Sequence, residues 1–298
     1  MEIAQNKFAA FVMTYKRPMI AKETILKLFE QTVPPQKVVV IDNDEFQSGK
    51  ILLEQLSHLP LIYHAMGFNS GPAGAAAKGL KLLSDEGYDW IAWIDDDDPP
   101  FFSDVFEILL VTASKHPKCG CVGVVGQFFN KQNGLIERVP NELLNDKGIL
   151  KVNTISGNML KIINSKSIIL EHILPDINLF FGFEELDYDL QLQKSGYVFL
   201  VDKELFLRHR VLHNRLKLSD KKIQKTDRQL VRDYYSSRNL LYILKKNDLK
   251  RALFYTFLRI IYKTITAFRF GLGYGLENLK YQIKAIYHHT INCYGPIK

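Results

Sequence analysis

The chain alternates short apolar runs with longer segments of helical periodicity. Apolar runs cover residues 8–14, 38–42, 61–65 and 90–94, and polar or glycine-rich residues follow each of them. Periodic segments follow at about 19–31, at 48–57 and in the alanine-rich stretch after residue 74. Continuous apolar runs are typical of strands buried on both faces, and strands separated by helices form parallel βαβ units. This part of the chain therefore predicts an α/β fold.

The pattern is less regular after residue 100. We expect a helix at 102–115, a strand at 121–129, a helix that begins near residue 184 and ends near Gly196, and a strand at 199–202. Residues 232–246 and 251–269 again have helical periodicity. In the second segment, basic and threonine side chains share one arc of a helical wheel, and apolar side chains fill the rest. This indicates an interfacial helix on an anionic membrane, or a helix whose apolar face packs on the protein or on another subunit.

Charge divides the chain near residue 208. Residues 208–298 contain 20 Lys and Arg against 5 Asp and Glu, whereas residues 1–207 contain 19 against 27. The formal net charge of +7 therefore combines an acidic front with a basic tail. We place a catalytic unit in residues 1–215 and a basic helical region in residues 216–298. A basic tail suits nucleic acid, but we expect no nucleic-acid contact because an acidic site would repel phosphate unless a metal intervened.

The sequence gives little sign of export or of structural metal. It has no uncharged run of about 18 residues and no apolar run followed by a small-residue cleavage site near its start, so we expect a cytoplasmic protein. The three cysteines, Cys119, Cys121 and Cys293, do not have the number or spacing of a zinc site or a disulfide framework. We expect them to fill space in the core.

Polar residues follow four of the predicted strands, at residues 14–17, 42–44, 67–74 and 95–98. Ligands of open α/β sheets bind at this edge. Four consecutive aspartates, Asp95 to Asp98, repel one another without a cation, and carboxylate oxygens suit Mg²⁺ or Mn²⁺. In an extended segment, Asp95 and Asp97 would share one side, and Asp96 and Asp98 the other. We therefore predict a metal and a phosphate-bearing ligand here, with a solvated acidic loop as the alternative.

These segments resemble the inverting, nucleotide-sugar-dependent family 2 glycosyltransferases. TYKRP resembles the first-strand motif of the family, VVVIDNDE the strand that ends in a base-binding aspartate, and NSGPAGAAAKG its N-x-G-x-x-G segment. WIDDDDPP resembles the metal-binding DxD motif, and FFGFEELDYDLQLQKSGY the region that supplies the base. The resemblance covers about residues 8–215. It implies the glycosyltransferase A fold, a Rossmann-like mixed, mostly parallel sheet flanked by helices, here with a C-terminal helical extension.

The resemblance also implies a role for each candidate site residue. Glu185 would be the catalytic base, with Glu184 as the reserve candidate. The metal, Mn²⁺ or Mg²⁺, would be held by Asp95, Asp97 and His209. The nucleotide sugar would be bound by Thr14, Arg17, Asp42, Asn69, Gly71, Asp96 and Asp98, with Asp42 at the nucleotide base and Asp98 near the donor sugar.

Two features depart from the family pattern. Glu185 stands where the family usually has Asp, which adds a methylene to the base. Gln191 and Gln193 replace the Arg expected in the following turn, so that Arg210 or Arg215 is a candidate for its charge.

The activity implied is transfer of a sugar from a UDP-sugar, for which UDP-galactofuranose is our choice, to a saccharide or lipid-linked saccharide acceptor in bacterial polysaccharide synthesis. A dTDP-rhamnose donor and a nucleotidyltransferase activity are the alternatives. We further expect peripheral contact with the inner face of the cell membrane, or a homo-oligomer formed through the C-terminal helices.

Overall fold

An eight-stranded sheet forms the centre of the computed structural model, which describes residues 7–155, 160–217 and 226–297. Its strands are β1 (Phe8–Thr14), β2 (Val38–Asp42), β3 (Leu61–Ala65), β4 (Trp90–Asp95), β5 (Cys119–Gly123), β8 (Ile149–Val152), β9 (Lys161–Asn164) and β10 (Val198–Asp202). A separate hairpin consists of β6 (Gln127–Asn130) and β7 (Leu135–Arg138).

The sheet is mixed and mostly parallel, in the order β3-β2-β1-β4-β9-β5-β10-β8. Neighbours from β3 to β4 pair in parallel, and so do β5 and β10. Strand β9 is antiparallel to both β4 and β5, and β8 is antiparallel to β10. The α/β prediction and the first four strands are confirmed. The single strand predicted at 121–129 is wrong, because the chain leaves the sheet after Gly123 and enters the hairpin at Gln127.

Helices cover both faces of the sheet. They are α1 (Pro18–Phe29), α2 (Ile51–Gln55), α3 (Gly71–Asp85), α4 (Val105–Ser114), α5 (Ser165–Glu171), α6 (Glu184–Lys194), α7 (Lys203–Leu212), α8 (Asp227–Lys246), α9 (Lys250–Ala267) and α10 (Leu272–Thr290). One buried cluster joins the sheet to α1, α2 and α4, and another joins it to α3, α5 and α6. Cys119 and Cys121 are buried on β5, as expected for core residues, but Cys293 is only partly buried, so the expectation that it fills the core is wrong.

The C-terminal helices share a core with the preceding residues. One buried cluster joins Leu186 and Leu190 of α6 to Ile243 and Leu244 of α8 and to Ala252 of α9. This cluster includes residues on both sides of the domain boundary that we predicted between 215 and 216, and the boundary stays a prediction. No helix in the described ranges is long and apolar enough to cross a membrane.

Helix α9 packs against the protein through its small and polar side chains. Its buried residues are Ala252, Thr256, Ile260, Thr264 and Ala267. Arg259 belongs to the predicted polar arc, yet its guanidinium donates to the carbonyl oxygen of Asn133 at 2.8 Å. Most of the bulky apolar side chains, Ile260 excepted, lie outside and are exposed. The expectation that the apolar face of this helix packs on the catalytic unit is therefore wrong.

Candidate active site

A cleft opens at the carboxyl ends of the parallel strands, where the sequence placed the ligand site. Its volume is about 530 Å³, and its lining includes Thr14, Arg17, Asn69, Gly71 and Asp95 to Asp97. A second cavity of about 280 Å³ is lined by Glu184 and Glu185. The two share Met13, Pro72, Asp95 and Phe181 in their walls. The structure thus brings most of the predicted site residues to two adjoining spaces.

The four aspartates lie in a turn and not in an extended segment. Strand β4 ends at Asp95, and the backbone N–H of Asp98 donates to the carbonyl oxygen of Asp95 at 3.3 Å. The expected alternation of their sides is therefore wrong: Asp95, Asp96 and Asp97 all line the cleft. Asp98 instead lines a small cavity of about 10 Å³ on another side of the turn.

Two of these carboxylates are tied to the first strand and loop. Asp96 is buried and accepts from Thr14 Oγ1 at 2.9 Å and from the guanidinium of Arg17. The same guanidinium donates to Asp97 at 2.9 Å. Thr24 Oγ1 donates to the carbonyl oxygen of Asp96 at 2.6 Å. Thr14 and Arg17 therefore fix the geometry of the acidic turn while they line the cleft.

Burial and mutual repulsion raise the pKa values of Asp95 and Asp98 in the acidic turn. Desolvation, with Glu185 next in size, raises the pKa of Asp95 to about 7. Desolvation, followed by the charges of Asp95 and Asp97, raises the pKa of Asp98 to about 7. Carboxylates in this condition gain charge stabilisation from a nearby cation.

The donor set fits a divalent metal that shares its coordination with a substrate. In the described ranges, no three His, Cys, Asp or Glu side chains form a group that could hold a metal ion by themselves. Asp95 and Asp97 nevertheless present hard oxygens to one cleft, and Mg²⁺ is commonly bound by one or two carboxylates together with substrate phosphates. The residues present fit this second type of site.

His209 lies away from the cleft. It lines the small cavity with Asp98 and Phe101, and its ring centroid is 4.3 Å from that of His213. Burial, with the charge of His213 next, lowers the pKa of His209 to about 4, so the imidazole is neutral at pH 7. The structure brings His209 beside Asp98 and not beside Asp95 and Asp97, and its role as a ligand stays a prediction.

Asn69 and Gly71 form part of the wall of the same cleft. Asn69 Oδ1 accepts from the backbone N–H of Gly71 at 3.0 Å. Gly71 has a φ of +69°, and a Cβ at this position would overlap the carbonyl oxygen of Phe180. Only glycine suits both the backbone conformation and the close approach. Asn43 adds a bond from its Nδ2 to the carbonyl oxygen of Gly71 at 3.2 Å.

Asp42 is fully buried behind this wall, and protein groups occupy both of its carboxylate oxygens. Oδ1 accepts from the backbone N–H of Asp44 at 2.8 Å, and Oδ2 accepts from the N–H of Gly49 at 2.7 Å. The hydroxyl of Tyr63 also donates to Oδ2 at 2.9 Å, and burial together with Asp42 raises the pKa of Tyr63. Contact between Asp42 and a nucleotide base stays a prediction.

Glu184 and Glu185 are the first two residues of helix α6, but their side chains have different surroundings. Glu185 accepts a hydrogen bond from the Nζ of Lys161, a buried residue of β9. Glu184 is buried, and Oε2 of its carboxyl has no hydrogen-bond partner in the described part of the chain. Desolvation, with Glu185 next in size, raises the pKa of Glu184 to about 8. The Glu184 carboxyl is therefore mostly protonated at pH 7, which favours Glu185 as the proton acceptor.

The loop before α6 is held by helix α8. Asn239 Nδ2 donates to the carbonyl oxygens of Leu179, Phe181 and Gly182 at 2.9, 3.0 and 2.9 Å. Arg238 donates to the carbonyl oxygen of Leu179 at 3.2 Å. Since Phe181 lines both cavities, these two buried side chains set the position of the site's outer wall.

Arg210 does not supply the positive charge that the family pattern places in the turn after the base. Gln191 donates to Asp187 at 2.7 Å, and Gln193 donates to the carbonyl oxygen of Asn153. Arg210 is buried and donates to Asn141 Oδ1 at 2.6 Å, so its guanidinium is committed elsewhere. Arg215 lies near enough to lower the pKa of Asp98, although desolvation outweighs it.

Sequence reasoning missed three cations of the site. Lys161 pairs with Glu185, and Arg228 and Arg232 of α8 line the larger cleft. A lysine inside the apolar run LKII was a usable signal, because a buried charge needs a partner. The two arginines gave no such signal, since they lie in a segment rich in basic residues.

Comparison with known proteins places these observations in context. The sequence model described as Glycosyl transferase family 2 matches residues 10–173, more than half of the chain. Galactofuranosyltransferase GlfT1 of Mycolicibacterium smegmatis is 25% identical over 202 residues, which are 64% of this chain and 66% of that protein. GlfT1 of Mycobacterium tuberculosis H37Rv is 26% identical over 200 residues, with the same coverage. The chain thus spans 66% of the length of these curated relatives.

Solved structures with the same fold belong to proteins of low identity. TarS 1-349 of S. aureus in complex with UDP-GlcNAc has a TM-score of 0.58 and 16% identity, and the match covers 95% of this chain and 80% of that chain. Mannosyltransferase PcManGT from Pyrobaculum calidifontis in complex with GDP-Man and Mn²⁺ has a TM-score of 0.55 and 11% identity, with coverages of 97% and 88%. At these identities the likeness concerns the fold.

Proposed function

The chain belongs to glycosyl transferase family 2 and has the glycosyltransferase A fold, and from this premise we propose an inverting, metal-dependent transferase that moves a sugar from a nucleotide donor to a saccharide acceptor. The observation that carries the proposal is the position of Asp95. This residue lines both the cleft with Arg17 and Asp97 and the cavity with Glu185. A donor in the cleft and an acceptor in the cavity would therefore meet beside Asp95.

Glu185 is the proposed base. A sugar hydroxyl is a poor nucleophile, and a carboxylate that takes its proton during attack makes it effective. Lys161 compensates the charge of Glu185 inside the protein, whereas Glu184, with its pKa near 8, keeps its proton at pH 7. Attack from the side of Glu185, opposite the departing diphosphate, inverts the anomeric centre in one displacement.

Asp95 and Asp97 would hold the metal, Mn²⁺ or Mg²⁺. A divalent cation, when bound, neutralises negative charge on the diphosphate. The cation would also relieve the repulsion that raises the pKa of Asp95. PcManGT, a protein of the same fold, was solved with Mn²⁺. His209, which lies beside Asp98, is a candidate further ligand.

A UDP-sugar is the proposed donor, with UDP-galactofuranose as the first choice. The support is the name of the curated relatives, galactofuranosyltransferase GlfT1, and the complex of TarS with UDP-GlcNAc. A dTDP-rhamnose donor is the alternative. The acceptor would be a saccharide or a lipid-linked saccharide of a bacterial polysaccharide. A nucleotidyltransferase activity has no support in these similarities.

Turnover of the donor tests this function. The full-length chain is incubated with each nucleotide sugar and Mn²⁺, and the nucleoside diphosphate released is measured with and without EDTA. We expect release from one donor that EDTA stops. Release that continues in EDTA would contradict metal dependence, and a sugar 1-phosphate product, left when the nucleoside monophosphate is transferred, would indicate nucleotidyl transfer instead.

A peripheral contact with the inner face of the cell membrane is the second part of the proposal. Apolar residues of α9 are exposed, and Ile265 is the most exposed of them at 65%. They include Phe254, Leu258, Ile261, Tyr262 and Ile265. Residues 249–297 contain seven Lys and Arg and one Glu. An anionic leaflet complements this combination, whereas a second copy of the same surface would add like charges.

Vesicle binding tests the membrane contact. Substitution suits the test better than truncation, because Gly295 at the C-terminal end accepts a hydrogen bond from the buried Arg238 at 2.8 Å. We expect binding to vesicles with anionic lipid, weakened by salt and lost in Phe254→Ser with Ile265→Ser. The control, Ile169→Ser with Leu170→Ser, removes two exposed apolar side chains from α5. Equal binding by both double variants would contradict the proposal, and a change in oligomeric state would favour subunit contact.

A further inference from the structure

Two arginines of helix α8 lie on the rim of the larger cleft. Arg228 and Arg232 are four residues apart, so they share one side of the helix. Both are exposed, and both line the cleft together with Thr14, Arg17 and Asp97. These residues lie beyond the segment 10–173 that matches the family. The C-terminal region therefore contributes two cations to the proposed donor site.

Neither guanidinium is committed to a carboxylate in the part of the chain that the structure describes. Arg232 lies 6.0 Å from the ring centroid of Phe181, another residue of the cleft wall. Other arginines of the fold have fixed partners: Arg208 forms two bonds with Asp104 at 2.9 and 3.2 Å, and Arg238 bonds to backbone carbonyls. The two rim arginines thus keep donors available for a ligand.

The charges of the cleft are arranged in two zones. The acidic turn presents three aspartates, of which Asp96 and Asp97 share the single guanidinium of Arg17. This zone attracts a cation and repels phosphate. The rim of Arg228 and Arg232 has the opposite charge, and a guanidinium matches two phosphate oxygens with two parallel hydrogen bonds.

We propose that Arg228 and Arg232 bind the diphosphate of a nucleoside diphosphate ligand, opposite the metal side of the cleft. The inference rests on the proposed function. It assigns to Arg228 and Arg232 the positive charge that the family pattern places in the turn of Gln191 and Gln193. Helix α8 is fixed by the buried Arg238 and Asn239, so the rim arginines stand on a rigid support. They stabilise the negative charge of the leaving diphosphate by hydrogen bonds and by attraction.

Calorimetry with uridine, UMP and UDP in the presence of Mn²⁺ tests this role, with the dTDP and GDP series alongside. We expect Arg232→Ala to raise the Kd for the nucleoside diphosphate about tenfold or more, since bonds to charged groups commonly contribute this much. Arg228→Ala acts in the same direction, and Arg232→Lys recovers part of the loss. Binding of the nucleoside stays within about twofold of the wild type.

Lys245→Ala is the matched control. Lys245 is an exposed cation of the same helix, and thirteen residues separate it from Arg232, about 20 Å along the helix. This control keeps the Kd of the wild type. A double variant of Arg228 and Arg232 that binds the nucleoside diphosphate as the wild type does would overturn the proposal, and so would an equal loss for nucleoside and diphosphate. A wild type that binds no nucleotide would overturn the proposed function as well.

Discussion

Lys161 of strand β9 donates through its Nζ to Glu185 at the start of helix α6, so a buried ammonium stands beside the proposed base. The same Nζ donates to the carbonyl oxygen of Ile155 at 3.1 Å and lies 3.9 Å from the ring centroid of Trp93. Burial opposes the charged form, but Glu185 and Asp189 outweigh it and raise the pKa of Lys161. The Lys161–Glu185 ion pair therefore links strand β9 to the proposed base at the start of helix α6.

Exchange of each acidic side chain for its amide separates the two candidate bases. Glu185→Gln removes the proton acceptor, and we expect kcat to fall by about 10²- to 10⁴-fold. Stability falls as well, because the buried ammonium of Lys161 loses its ion-pair partner. Glu184→Gln replaces a carboxyl that is mostly protonated at pH 7, and it keeps kcat within about tenfold. Steady-state turnover of both variants checks this, and the reverse order of losses would assign the base to Glu184.

Loss of Lys161 leaves the partly buried carboxylate of Glu185 and the buried carboxyl of Asp189 without their cation. Lys161→Met is expected to lower the free energy of unfolding by about 3 to 5 kcal/mol, because removal of one partner of a buried ion pair leaves the charge of the other partner uncompensated inside the protein. Urea denaturation at pH 7 measures this loss. Lys37→Met is the control, since Lys37 forms a hydrogen-bonded ion pair with Glu86 near the surface, worth at most about 1 kcal/mol. Equal, small losses in both variants would contradict a structural role for Lys161.

Gly71, in the wall of the cleft, and Gly67 allow a comparison of two glycines with similar backbone conformations but different surroundings. Both have positive φ, +69° and +76°, but only at Gly71 does an added Cβ meet the carbonyl of Phe180, whereas Gly67 has open space around it. Gly67→Ala is expected to cost about 1 kcal/mol of stability. Gly71→Ala is expected to cost about 2 to 4 kcal/mol and to weaken nucleotide binding. Urea denaturation compares them, and equal costs would remove the argument from close approach.

The stability of the metal-free protein should decrease as the pH rises. Desolvation is the main reason that the pKa of Glu184 is raised to about 8 and that of Asp189 to about 7. Raised carboxyl pKa values mean that the folded protein binds protons which the unfolded chain has released, so their stabilisation is present at low pH and is lost as pH rises through the folded pKa. We expect the free energy of unfolding to decrease by about 1 to 3 kcal/mol between pH 6.5 and 8.5.

Urea denaturation in EDTA at three values of pH measures this decrease. His209 opposes this decrease only at the lower end of the range, because its imidazole is neutral in the folded protein, where its pKa is lowered to about 4, but partly protonated in the unfolded chain near pH 6.5. Glu184→Gln has no titrating carboxyl at that position and should flatten the curve. A stability that rises with pH in the wild type would contradict the assignment of buried, protonated carboxyls.

Local sequence patterns were sufficient for the first half of the fold. Buried parallel strands consist of continuous apolar residues, and those of β1 to β4 appear as such in the sequence. Their carboxyl ends then locate Thr14, Arg17 and Asp95 to Asp97 at one edge, where the cleft lies. Strand β9 and the hairpin of β6 and β7 were not apparent, because short strands of four residues contain too little pattern to define a period.

The rest of the site depends on contacts between distant parts of the chain. Asp98 and His209 are brought together by the turn at the end of β4, which four consecutive aspartates do not reveal. Lys161 and Glu185 meet across 24 residues, and Arg232 reaches the cleft from a helix that reads only as basic and amphipathic. In α9 the sequence pattern separated a polar face from an apolar face, but it did not determine which face packs on the protein. The face with small and threonine side chains packs there, because these side chains allow the helix to approach its neighbours closely.

Calorimetric titration of the wild type and of Asp97→Asn with nucleotide sugars and Mn²⁺ measures whether the chain binds a nucleotide-sugar donor through its acidic turn. We expect saturable binding of UDP-galactofuranose or another UDP- or dTDP-sugar by the wild type, and at least about tenfold weaker binding by Asp97→Asn in the presence of metal. Wild-type protein that binds none of the UDP-, dTDP- and GDP-sugars, with or without Mn²⁺, would contradict a nucleotide-sugar-dependent transferase.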